Sequence, residues 1–127
     1  MKLVLDAGAL LALERHDRPM WRRFKAALLA GNVAVTHGGI VGQTWRGRGR
    51  PREALLAKAL DAVEVRPVDL WLGRAAGELL AATRGADVID AALVLLSEDG
   101  DNIVTSDVAD IAPLAMAAGR HVEIIAA

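Results

Sequence analysis

The chain has 127 residues, a formal net charge of −1 and no cysteine. That length fits one compact domain over residues 1–127, and the missing thiols remove disulfides, thiolate zinc sites and cysteine nucleophiles. The near-zero charge removes a global basic field for nucleic acid. An apolar fraction of 54%, much of it Ala, Leu and Val, argues against disorder and leaves room for one apolar surface facing a partner or a second copy.

In chain order, Lys2 to Leu5 reads as a short, fully buried strand. The N-terminal apolar stretch is interrupted by Asp6, which makes it too short and too charged to span a bilayer. It reads as strand then helix rather than as a signal peptide, and no membrane association is expected. A helix is predicted from about Ala9 to His16, and a second from Pro19 to a stop at Gly31–Asn32. Val33 to Val35 is the second strand, and the Thr36 hydroxyl is placed to cap a helix carrying Ile40, Val41 and Trp45. GRGRPRE is a glycine- and arginine-rich connection whose glycines permit mobility, followed by the helix REALLAKALDA. Val63 to Val65 is the third strand, closed by Pro67. Asp69 caps a helix that ends near Arg84–Gly85, and Asp87 opens another that reaches about Ser97. After a turn at Glu98 to Asp101 come a fourth strand, Asn102 to Thr105, a helix from Val108 to Ala118 stopped by Gly119, and a fifth strand, Val122 to Ile125. Short apolar strands alternating with helices predict an α/β fold: a central parallel five-stranded sheet flanked by helices on both faces.

Ligands of open α/β sheets bind beyond the carboxyl ends of the strands. Asp6 and Asp107 stand at two such ends, and Asp87 and Asp90 share one face of a helix. Gathered carboxylates repel unless a cation holds them. An all-oxygen set without sulfur or paired histidine suits Mg2+ or Mn2+, which orient phosphodiesters and activate water. Thr105 and Ser106 are placed to order a carboxylate or a water behind the ion. Capping competes as an explanation for Asp6 and Asp87, and a first-turn charge for Asp90. Asp107 could be an ordinary turn residue. Capping does not require that two strand ends and a helix start all carry aspartate. His16, His37 and His121 lack ligand spacing, which argues against a histidine zinc site.

DAGALLAL, the D-x-x-D helix and IVTSD together resemble the PIN-domain ribonucleases, and especially the VapC toxins of bacterial toxin–antitoxin pairs. The resemblance covers essentially the whole chain; the motifs are short, and their order and spacing carry it. It implies a PIN-like three-layer domain, Mg2+-dependent (or Mn2+-dependent) endoribonuclease activity, and metal-holding catalytic roles for Asp6, Asp87, Asp90 and Asp107. It also implies a cognate VapB-like antitoxin, a homodimer, a cytoplasmic location and an RNA substrate, with tRNA or another structured RNA among the options. Asp110 is expected to face outward or cap locally. The chain departs from the family where a glutamate usually helps hold the metal: the matching residue is Gln43, which adds no charge. Arg46, Arg48, Arg50 and Arg52 follow it, with Trp45 as a stacking platform for single-stranded RNA. The competing reading for this stretch is a solvated loop with a core tryptophan. Arg22 and Arg23 are weaker candidates, on a helix whose opposite side, Trp21, Phe24 and Leu28, packs in the core or in a groove.

Three other functions compete. An aspartyl-phosphate phosphatase would want an acid where Gly8 stands. A receiver-like regulatory module would want a lysine after the fourth or fifth strand, where there is none. A nuclease acting on DNA meets the same phosphate chemistry.

Overall fold

The computed structural model describes residues 1–84 and 87–127. β1 (Lys2–Leu5), β2 (Val33–His37), β3 (Val63–Arg66), β4 (Asn102–Thr105) and β5 (Glu123–Ala126) form one sheet in the order β3-β2-β1-β4-β5. Every neighbouring pair is parallel, with Val4 opposite Val35 on one side and Ile103 on the other. The helices are α1 (Ala7–Glu14), α2 (Arg18–Leu29), α3 (Gly38–Thr44), α4 (Pro51–Asp61), α5 (Leu70–Ala81), α6 (Val88–Leu95) and α7 (Val108–Ala117). The predicted end of α5 at Arg84–Gly85 falls partly outside the described residues; the helix itself stops at Ala81.

The chain moves from β1 outward to β3, then returns across the sheet to β4 and β5. Right-handed crossovers put α1 to α4 on one face and α5 to α7 on the other. The packing agrees: α1 lies against α2, α3 and α4, whereas α5 packs on α6 and α6 on α7. This is the three-layer α/β architecture that the strand-helix alternation predicts.

Burial explains the strand composition. Leu3, Val4 and Leu5 in the central strand are at most 1% exposed, so no polar face is needed. The edge strand β3 is mostly open instead, with Val63 buried and Glu64 and Val65 exposed. The α6 helix buries four consecutive residues, Ala91 to Val94, because it is wedged between α5, α7 and the sheet.

β2 runs two residues beyond its predicted end, since Thr36 and His37 pair with Val65 and Arg66. Thr36 therefore does not cap α3. Its hydroxyl donates across the sheet to the Leu5 carbonyl (2.8 Å), and His37 is the N-cap.

Candidate metal centre

β1 and β4 are neighbours whose chains leave in opposite directions, α1 to one face and α7 to the other. Such a switch point opens a crevice beyond the strand ends. Asp6 and Asp107 stand on its two sides.

Asp6 is 6% exposed and caps α1, with Oδ1 accepting the Ala9 N–H (2.9 Å). Its Oδ2 accepts the Thr105 hydroxyl and the Ser106 N–H (3.2 Å). The Thr105 oxygen in turn accepts the Asp107 N–H (2.9 Å), so one relay ties the two strand ends together. Gly8 permits this approach: a Cβ there would collide with the Ser106 side chain. Three bonds leave an ionised carboxylate with one further acceptor position.

Asp87 caps α6 through the Asp90 N–H (2.8 Å). Asp90 is half-buried, and its carboxyl is pushed up to about 6, first by burial and then by the charges of Asp87, Asp107, Asp110 and Asp6. One acid feeling four others locates the convergence of distant segments. Asp107 occupies the N-cap position of α7 but makes no capping bond. Asp110 lies one turn further on in α7, and its carboxyl is raised above the usual range chiefly by the neighbouring Asp107 carboxyl. Asp110 is exposed, as expected, but its carboxyl belongs to the cluster rather than to a local cap.

His37 is fully buried and supports the acids from behind. Its Nδ1 accepts the Gly39 N–H (3.1 Å), so Nε2 carries the proton and donates to the Ile89 carbonyl (2.9 Å). Burial lowers its pKa, against the opposite pull of the Ile89 carbonyl and Asp87, and keeps the ring neutral. The imidazole thus fixes α6, and with it Asp87 and Asp90, to the end of β2.

Among the described residues, no three His, Asp or Glu side chains stand in a geometry that would hold a metal ion. Asp6 is turned toward Thr105 and Ser106, and Asp107 toward Asp110. The chemistry of the set nonetheless fits a hard divalent cation, because it is all oxygen and its crowding already raises Asp90. Gln43 is exposed on α3 and makes no side-chain hydrogen bond among the described residues.

Of the proposed RNA contacts, Trp45 is 41% exposed at the C-terminal end of α3 and so is no core residue. Arg46 folds back, donating to the Gly42 (3.1 Å) and Trp45 (2.9 Å) carbonyls. Arg48, Arg50 and Arg52 are exposed and form no salt bridge among the described residues. The connection they occupy is not slack: Glu53, 8% exposed, accepts the backbone N–H groups of Arg48 (2.8 Å) and Gly49 (2.7 Å). Glu53 was legible as a third-position helix glutamate, and His37 as the last residue before two glycines; apolar patterning flags neither. Arg18, Arg22 and Lys25 line a different groove of about 240 Å3 with His16 and Trp21, past the far end of α1.

The chain matches no protein-family model and no curated protein.

Proposed function

We propose that this chain is a metal-dependent endoribonuclease of the PIN-domain, VapC type, the toxin of a toxin–antitoxin pair. The observation that carries the reading is the pair of aspartates at the switch point of the parallel sheet, Asp6 and Asp107, tied together through Thr105, with Asp87 and Asp90 opening α6. Like charges assembled at a ligand-binding crevice are costly without a counter-ion. Their pattern, two strand ends and a D-x-x-D helix, is the one that resembles the family.

Asp6, Asp87, Asp90 and Asp107 would hold Mg2+ or Mn2+, which supplies an activated water and neutralises charge on the leaving oxygen. Thr105 orients Asp6. His37 holds α6 in register. No protein nucleophile is required. Arg48, Arg50 and Trp45 are the contacts for RNA flanking the scissile bond. The VapB-like antitoxin, the homodimer and the cytoplasmic location belong to the same reading. Among the described residues no helix is long and apolar enough to cross a membrane. Exposed Leu70 and Trp71 offer apolar surface to a partner.

RNA cleavage with Mg2+, Mn2+ or chelator tests this in the wild type, Asp90→Asn and Asp107→Asn. Metal-dependent cleavage, lost at least a hundredfold in both variants while their folds persist, is expected. Cleavage that survives chelation, or that the variants retain, would refute the site. Gln43→Glu should tighten Mn2+ binding if residue 43 faces the ion.

A second reading, a weakly active or non-catalytic PIN-like module, is favoured by the open placement of the acids and by uncharged, exposed Gln43. Stoichiometric Mn2+ binding without cleavage of either RNA or DNA would select it. Cleavage of DNA alone would instead make the chain a DNA nuclease.

A further inference from the structure

The connection Trp45 to Arg50 carries alternating glycine and arginine, a composition that ordinarily stays loose. Here it has a fixed shape. Gly47 and Gly49 both take left-handed backbone angles (φ +65 and +67), which turn successive N–H groups inward. The Glu53 carboxylate fills that concavity from the third position of α4. These bonds, that from Arg48 first and with Arg50 adding to them, hold the carboxyl below its usual range. Backbone donors that could have met an external anion are therefore already satisfied.

What remains outward is specific. Arg46 is spent on the end of α3. The side chains of Arg48 and Arg50 are exposed and free of salt bridges among the described residues, with Arg52 beside them on α4. Trp45 shows 41% of its surface, and its indole nitrogen lies beside Gly47. An exposed aromatic plane next to guanidinium groups that stand on a fixed backbone, without salt bridges among the described residues, matches one class of ligand, a single-stranded polynucleotide. Bases stack on the ring and phosphates meet the arginines. Duplexes hide the faces of their bases and can use only the charges.

We propose that the Trp45–Arg50 loop is a preformed clamp for single-stranded nucleic acid, and that Glu53 is the positioning residue that preforms it. The proposal rests on the nuclease reading for its biological sense. α3 spans about 10 Å between His37, which braces the acidic helix, and Trp45. That separation suits a strand held a nucleotide or two from the bond being cut. Because the order comes from an internal carboxylate, the clamp does not wait for its ligand to fold it, and binding loses little loop entropy.

The test is a fluorescence anisotropy titration in chelator, so that no cleavage intervenes. It compares a labelled single-stranded RNA, the same sequence as single-stranded DNA, and its RNA duplex. Wild type should prefer single strands to duplex at least fivefold. Arg48→Ala with Arg50→Ala should weaken binding about tenfold and flatten the logarithmic salt slope by about 1.4. Trp45→Ala should weaken single-strand binding fivefold to a hundredfold and abolish the preference over duplex. Glu53→Ala should bind like the double arginine variant while still folded at the titration temperature, although its melting temperature falls, and Glu53→Gln, which keeps one acceptor, should recover part of the affinity. A rescue of this kind is not expected of a residue that merely stabilises the helix. Equal binding of duplex and single strand, or variants that bind as wild type does, would overturn the clamp. Tighter binding of RNA than of DNA places the clamp in the ribonuclease reading. The reverse keeps the clamp and moves the substrate to DNA. Failure of the nuclease reading shows separately, as absent metal-dependent cleavage with binding intact.

Discussion

At Asp90, burial and neighbouring carboxylates work against ionisation in a single residue. Its carboxyl, raised to about 6, lies above its ordinary value of 3.8. The sign follows from linkage: below about pH 4 the group is protonated folded or unfolded and contributes no penalty. As pH rises toward and past 6, ionisation is easier in the unfolded chain, so stability falls. After allowance for solvent screening, the loss is about 1–2 kcal/mol. Asp90→Asn should therefore raise the urea midpoint in chelator at pH 7–8 and flatten its slope between about pH 4 and 7, and on the nuclease reading it should remove cleavage. Mn2+ should raise the wild-type midpoint over the same range and leave the variant nearly unmoved. A variant less stable than wild type at pH 8 would show that Asp90 contributes structure and no strain. Asp101 makes the contrast. It too is a buried acid, but its oxygens accept the N–H groups of Lys2 (2.6 Å) and Glu98 (2.8 Å) and it faces the Lys2 ammonium at 3.2 Å. Every acceptor of that pair has a donor, so it fastens a turn and asks for no cation.

At the scale of elements, α6 matters most, because it brings two of the acids to the crevice. Its own turn is fixed by Asp87, and its placement by the His37–Ile89 bond from the end of β2. Removing that imidazole, His37→Ala, should cost about 2–4 kcal/mol, the sum of a small cavity and an unpaired buried carbonyl. It should also lower metal affinity, although the imidazole donates to a backbone carbonyl rather than to the acids. The pH dependence has a definite sign. Burial lowers the folded-state pKa below 6.5 against the pull of the Ile89 carbonyl and Asp87, so the stability His37 provides is complete above pH 6.5. It is lost as pH falls through the lowered value. Wild type should show this acid-side loss in a denaturant titration, and His37→Ala should not.

Across the whole molecule, the paired acid and the crowded acids occupy opposite ends of the sheet. The acids crowd the carboxyl ends of β1 and β4. At the start of β1, Asp101, Glu98 and Lys2 form a closed network. Burial works to raise the Asp101 carboxyl, but the two N–H bonds and the Lys2 charge outweigh it and leave it lowered from 3.8. Its contribution is therefore present above about pH 4 and lost as pH falls through the lower folded value. Asp101→Asn should cost about 2 kcal/mol at pH 7 and remove that last acid-dependent loss, read as the difference in unfolding midpoint between pH 3 and 5. The wild type should then have its best metal-free stability at mildly acidic pH, where Asp101 is ionised and Asp90 still holds its proton.

The amino-acid order alone determined the alternation of strands and helices, because fully buried parallel strands write themselves as short apolar runs and helix starts as capping acids. β1 and β4 could be read to the residue for that reason. It also determined which acids were candidates, since Asp6 and Asp107 follow strands whatever the fold does with them. Only the tertiary structure decided how those acids are used. Capping accounts for part of Asp6 and Asp87 and for none of Asp107, and Asp110, expected to face outward or cap locally, sits beside Asp107 and feels its charge. The same holds for His37 and Glu53, whose partners belong to other elements or to a loop that looks slack in sequence. A hydrogen bond across the sheet, or a loop shaped by a carboxylate, depends on which groups meet after folding, and one-dimensional spacing records only which groups are available.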